Sequence, residues 1–127
     1  MVEKKVILVT GASRGIGRAI CTRLAKDEKN IVIGTATSSE GIKKIDSDLT
    51  ENSNHGCGML WNALKSESKQ LIGQIIEKYG QEPHILINNA GITRDNLLLR
   101  MKKEEWDDVL QANLTACFEL TQLCVKR

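Results

Sequence analysis

Val6-Ile7-Leu8-Val9-Thr10-Gly11-Ala12-Ser13-Arg14-Gly15-Ile16-Gly17 is the stretch whose reading decides the fold. An uninterrupted apolar run suits a strand buried on both faces. Three glycines follow, and a helix-like pattern opens directly out of them. Strand, glycine turn and helix N-terminus, in that order, put backbone N–H groups and a positive helix end beside a diphosphate. Gly11 permits the sharp exit from the strand, Gly15 sits at the helix start, and Gly17 lets the first helical turn approach the sheet. The spacing is G-x-x-x-G-x-G, not the G-x-G-x-x-G dinucleotide fingerprint. A plain flexible turn would also hold three glycines, but it needs neither the strand before nor the helix after.

Working outward, Ile16, Ala19, Ile20, Arg23 and Leu24 recur at helical spacing, which predicts an apolar face laid on a sheet by those residues. The helix ends near Lys26–Asn30, and Ile31 to Ala36 reads as a second strand. Strand, turn, helix and strand within roughly thirty residues make a βαβ unit with a right-handed crossover. Ile42, Ile45 and Leu49 give a short surface helix within Ser38–Asn54, followed by a loop through Gly56 and a third strand at Cys57–Trp61. Leu71, Ile72, Ile75, Ile76 and Tyr79 share a face of a helix over Ser66–Tyr79, which Gly80 ends and Pro83 cannot continue. Ile85–Ile87 is a short buried strand, Gly91–Arg100 a loop, and Lys102 onward a helix carrying Trp106, Val109, Leu110, Leu114, Cys117, Leu120 and Cys124. The alternation predicts an α/β chain with a parallel sheet.

Composition narrows the function. The 127 residues suggest one domain, and 18 basic against 16 acidic residues leave +2. No basic block interleaves with the few aromatics, so nucleic-acid binding is not indicated. No apolar run nears the roughly 18 residues of a membrane span, and Met1–Lys5 runs straight into a strand, so no signal peptide is expected. Cys21, Cys57, Cys117 and Cys124 form no C-x-x-C and read as free thiols in a reducing cytoplasm. His55 and His84 lack ligand-like neighbours, so no metal site is expected.

Thr10–Gly17 resembles the cofactor turn of the short-chain dehydrogenase/reductase family. Asn88-Asn89-Ala90-Gly91 resembles its N-N-A-G block, and Asn113 in Q-A-N-L-T its helix asparagine. The run Asn88–Met101 is similar to one subgroup, the bacterial 3-oxoacyl-[acyl-carrier-protein] reductases. The resemblance spans the chain in the family's order. It implies a Rossmann-like doubly wound sheet, here its first half in strand order 3-2-1-4, as the N-terminal part (1–127) of a single NADP(H)-binding domain. Implied cofactor contacts are Gly11, Ala12, Ser13, Arg14, Gly15, Ile16 and Gly17, then Asn62-Ala63 at the adenine, Asn89 near the ribose, and Ala90 and Gly91 toward the nicotinamide. Leu64-Lys65 stand where the family continues Thr-Asp. Asn62 also fits a simple strand-terminating turn, and Asn88 a structural tie between strands.

An acidic residue ending the second strand favours NAD, and a basic one nearby favours NADP. Gly34-Thr35-Ala36-Thr37-Ser38 has no acid, while Arg14 supplies charge and Thr37 a hydroxyl, so NADP(H) is expected. The family's tetrad is Asn-Ser-Tyr-Lys. Asn113 matches its asparagine, on a face that Leu110 and Leu114 are expected to turn inward. The only tyrosine, Tyr79, has Pro83 four residues on and not the family's lysine. The expectation is therefore the N-terminal part of a longer reductase, acting on an acyl-carrier-protein or CoA thioester as a homo-oligomer (a tetramer in the family), with a non-catalytic nucleotide-binding chain as the alternative.

Overall fold

The computed structural model describes residues 3–65 and 67–125. The elements run β1 (Lys5–Val9), α1 (Gly15–Ala25), β2 (Asn30–Ala36), α2 (Ser39–Glu51), β3 (Cys57–Leu60), α3 (Ser68–Tyr79) and β4 (Ile85–Ile87). A 3₁₀ turn at Leu98–Arg100 precedes α4 (Lys103–Leu110), a π-helical segment Gln111–Thr115, and α5 (Ala116–Cys124). The expected helix start at Ser66 and the last residues, Lys126 and Arg127, lie outside the described residues, as do Met1 and Val2.

The four strands are parallel in the order β3-β2-β1-β4, as expected. β1 is central, with Leu8 paired to Ile33 on one side and Leu86 on the other. Successive strand residues face opposite ways, and two cores result. Val6, Leu8, Ile31 and Ile33 meet Leu71, Ile75, Ala116 and Leu120 of α3 and α5. Ile7, Val9 and Val32 meet Cys21, Ala25, Ile45 and Leu49 of α1 and α2. Helices on both faces of a parallel sheet make this a Rossmann-like, doubly wound α/β fold.

Local chemistry explains the element ends. Ser38 Oγ accepts the Gly41 N–H at 3.1 Å and caps α2. Gly80 closes α3 in the left-handed region at φ +74°. Asn54 clasps the N-terminal edge of β2: its Oδ1 accepts the Val32 and Gly56 N–H groups, and its Nδ2 donates to the Ala25 and Asn30 carbonyls. His84 accepts the Val6 N–H on Nδ1 at 3.0 Å and extends the β1–β4 ladder by one rung.

Two expected faces are rotated. On α1 the line against the sheet is Gly17, Cys21 and Ala25, while Ile16 is 73% exposed. Small residues win there because helix and sheet come close: a Cβ on Gly34 would stand 2.7 Å from Ala12 Cβ and 3.4 Å from Cys21 Sγ. The C-terminal helix likewise buries Ala112, Ala116 and Leu120, and leaves Leu110, Leu114 and Trp106 outward. Pattern reading weights large apolar residues as core, and alanines carried this contact instead.

Candidate cofactor site

The glycine turn leaves the C-terminal end of β1 and is held from both sides. The Gly11 N–H donates to Thr35 Oγ1 at 3.1 Å, and the Ala12 N–H to the Thr35 carbonyl at 2.9 Å. From the other side Asn89 Nδ2 donates to the Gly11 carbonyl at 3.0 Å. Thr10, 1% exposed, accepts the N–H groups of Asn89 and Ala90 on its hydroxyl at 3.0 and 2.9 Å. Gly11 has φ +66°, and a Cβ there would press on Ala90 Cα at 3.0 Å. A Cβ on Gly17 would lie 1.9 Å from the Gly11 carbonyl oxygen, so only glycine fits. The turn is thus welded to the Asn88–Gly91 block before any ligand arrives.

The α1 N-terminus above this weld is open. Arg14 is the N-cap residue, and among the described residues no side chain caps the helix, so its first N–H groups and positive dipole end remain for an anion. Gly15 has φ +60° and no atom within 4 Å of where its Cβ would stand. That empty cradle fits a diphosphate. Arg14 and Ile16 are exposed around it and Ser13 is half-buried, whereas Ala12 is buried in the core beneath.

Beyond β2 and β3 lies a cavity of about 340 Å³, lined by Thr37, Asn62, Lys65, Gln70 and Gln74 with Trp61. Trp61 is 4% exposed, and its buried indole N–H has no partner among the described residues. Asn62 Oδ1 accepts the Leu64 N–H at 2.9 Å, a turn of the strand-terminating kind. Ala63 is buried in the core and is not among the cavity's lining residues; its carbonyl accepts Gln111 Nε2 at 3.2 Å. Arg14 is likewise absent from this lining.

Asn113 is exposed, contrary to the expectation that Leu110 and Leu114 turn it inward. Its amide instead grips the loop after β4: Oδ1 accepts the Ile92 N–H at 2.8 Å and Nδ2 donates to the Ile92 carbonyl at 2.9 Å. A Cβ on Gly91 would lie 2.9 Å from Asn113 Oδ1, which explains that glycine. Asn113 sits within the π-helical segment, where the expected continuous α-helix widens by a residue. Asn88 donates to Thr121 Oγ1 at 3.2 Å and so ties β4 to α5, not strand to strand. Tyr79 donates its hydroxyl to the His55 carbonyl at 3.1 Å, before the start of β3 and so at the opposite end of the strands from the turn. Burial and then Cys57 hold its pKa above the ordinary phenol value.

Thr35 and the Thr10 hydroxyl are the site residues that sequence reading passed over. A β-branched residue in a strand reads as packing. The signal was the register: Val9 pairs with Gly34, which sets Thr35 beside the strand's exit. Among the described residues no group of His, Cys, Asp or Glu is arranged to hold a metal, and no helix is long and apolar enough to cross a membrane.

A family profile described as short chain dehydrogenase matches residues 5–127. Curated relatives named 3-oxoacyl-[acyl-carrier-protein] reductase FabG are similar over 98% of this chain. The proteins of Vibrio cholerae, Escherichia coli and Pseudomonas aeruginosa are 48%, 47% and 44% identical. The matched region is 49–50% of each of those proteins, so the chain spans about half the length of the relatives it matches. With the glycine turn, the Asn88–Gly91 block and Asn113 joined at one end of the sheet, and with that match, the chain belongs to the short chain dehydrogenase family.

Proposed function

We propose that this chain forms the cofactor-holding part of an NADPH-dependent oxidoreductase that reduces 3-oxoacyl-[acyl-carrier-protein] to the 3-hydroxyacyl thioester in cytoplasmic fatty acid synthesis. The observation that carries the reading is the junction between the glycine turn and the Asn88–Ile92 loop, which Thr10, Asn89 and Asn113 hold together. The names of the similar reductases support the thioester substrate. When bound, a nicotinamide supplies the hydride for carbonyl reduction. The chain's own residues bind and orient: the first turn of α1 takes the diphosphate, Ile16 offers an exposed apolar surface, and the Asn89–Gly91 backbone lines the floor.

NADP(H) is favoured over NAD(H) by Arg14 and Thr37 with no acid at the end of β2. A charge-assisted hydrogen bond contributes roughly 1.5–3 kcal/mol, and about 1.4 kcal/mol is tenfold in affinity. NADPH is therefore expected to bind at least about tenfold more tightly than NADH. The chain's only tyrosine, Tyr79, bonds to the His55 carbonyl at the other end of the strands from the glycine turn, so the proton donor is proposed to come from elsewhere. The protein is further proposed to act as a homo-oligomer, because Leu114, Phe118 and Val125 are 62–67% exposed along one helix face. Calorimetric titration of both nucleotides tests the cofactor, and initial rates on matched carrier-protein and CoA thioesters test the substrate. Tighter NADH binding, or faster turnover of the CoA thioester, would overturn the respective part.

A further inference from the structure

We infer that Thr35 is a positioning residue for the cofactor, setting diphosphate affinity through a ligand-free hydrogen bond to the glycine turn. Thr35 is 1% exposed near the end of β2 and lies beneath the turn, not in it. Its hydroxyl holds the Gly11 N–H at 3.1 Å while its carbonyl holds the next N–H, that of Ala12, at 2.9 Å. Two successive turn amides are thereby committed to one residue. They are withdrawn from the ligand, and the exit from β1 is fixed with Gly11 at φ +66°. The N–H groups left to an anion are those further on, at the start of α1. Thr37, two residues further on and just past the end of β2, lines the neighbouring cavity. The Thr35 bond therefore fixes the span between the diphosphate cradle and the 2′ end of the ribose.

The carbonyl contact to Ala12 survives any side chain at 35, but the Gly11 contact needs a hydroxyl. Thr35→Val keeps the shape and turns a methyl toward an N–H that is left without an acceptor, a costly state for a part-buried donor. The turn then populates its binding-competent form less, and apparent affinity falls in proportion. The diphosphate is common to NADPH and NADH, so both weaken together, by about tenfold. Thr37→Val acts at the 2′ end and weakens NADPH alone. A role confined to strand packing would predict the same loss for Thr35→Ser, which removes the methyl and keeps the hydroxyl.

The inference rests on the nicotinamide-cofactor reading, and its test separates the two. NADPH and NADH dissociation constants are measured for the wild type, Thr35→Val, Thr35→Ser and Thr37→Val, beside amide hydrogen exchange of the cofactor-free wild type. Expected are a parallel loss in Thr35→Val, recovery to within about twofold in Thr35→Ser, and a slowly exchanging Gly11 amide. Unchanged affinity in Thr35→Val, an equal loss in Thr35→Ser, or a freely exchanging Gly11 amide would each overturn it. Should Thr35→Val not fold, the Thr35→Ser affinity and the Gly11 exchange rate decide. A wild type that binds neither nucleotide refutes the cofactor reading, and Gly11 exchange still judges the hydrogen bond.

Discussion

Gly17 is the residue with the least freedom in the site. A methyl there would collide with the Gly11 carbonyl oxygen at 1.9 Å and with Asn89 Nδ2 at 2.5 Å, two atoms already bonded to each other. Gly17→Ala is expected to cost about 1–3 kcal/mol as overpacking and to abolish nucleotide binding; a melting curve and an NADPH titration on the same sample check both. Cys21 is the second case. Burial, and then Asp48, push its thiol up to about 12 from an ordinary value of 9.0. The folded chain keeps this proton after the unfolded chain has released it. The stabilisation is thus complete below the unfolded pKa and is lost as pH rises from about 9 toward 12. Native protein should leave Cys21 unalkylated at about pH 8 while denatured protein reacts at all four thiols, and peptide mass mapping shows which. At this scale the sequence announced the glycines but not their reasons. G-x-x-x-G-x-G marks a tight turn, whereas the atom that excludes a side chain from Gly17 belongs to Gly11, and the one that excludes it from Gly91 belongs to Asn113.

The elements were legible where one signal dominated. Apolar runs without interruption located β1, β2 and β4, and their alternation with helices implied the parallel order. Helix faces were less legible, because α1 and α5 approach through glycine, cysteine and alanine, which no hydrophobic pattern weights heavily. The π-helical segment was not legible at all. It holds Asn113, whose amide bonds the Ile92 backbone 21 positions away, a contact that periodicity cannot express. Asn113→Ala removes both hydrogen bonds and leaves α4 and α5 free to join as regular helix. The expected result is an Ile92 amide that exchanges about tenfold faster while the amides of β1 keep their protection. Hydrogen exchange with mass or NMR detection resolves the two. Equal exchange of Ile92 in wild type and variant would mean that the clasp does not hold the loop.

Across the molecule, the site occupies the ends of the strands and the apolar stripe occupies the far side of α5. Leu114, Phe118 and Val125 border an open groove of about 520 Å³ with Cys117 and Thr121. Contiguous exposed apolar surface of this kind drives association. Phe118→Glu is expected to shift sedimenting material toward smaller species at equal concentration, with nucleotide affinity unchanged because Phe118 lines this groove and not the glycine turn. Sedimentation velocity over a range of concentrations reads the shift, and an unchanged distribution would remove the stripe from the interface. The Thr10 clamp has a consequence in time as well as in space. Its donors, Asn89 and Ala90, lie 79 and 80 positions downstream. A nascent chain therefore emerges with Thr10 unclamped: Thr35 can already hold the Gly11 and Ala12 amides, but the second side of the turn is held only once β4 has been synthesised and has joined β1. The glycine turn is made long before the residues that finish it, and a nucleotide captured there reports that β4 has joined the sheet.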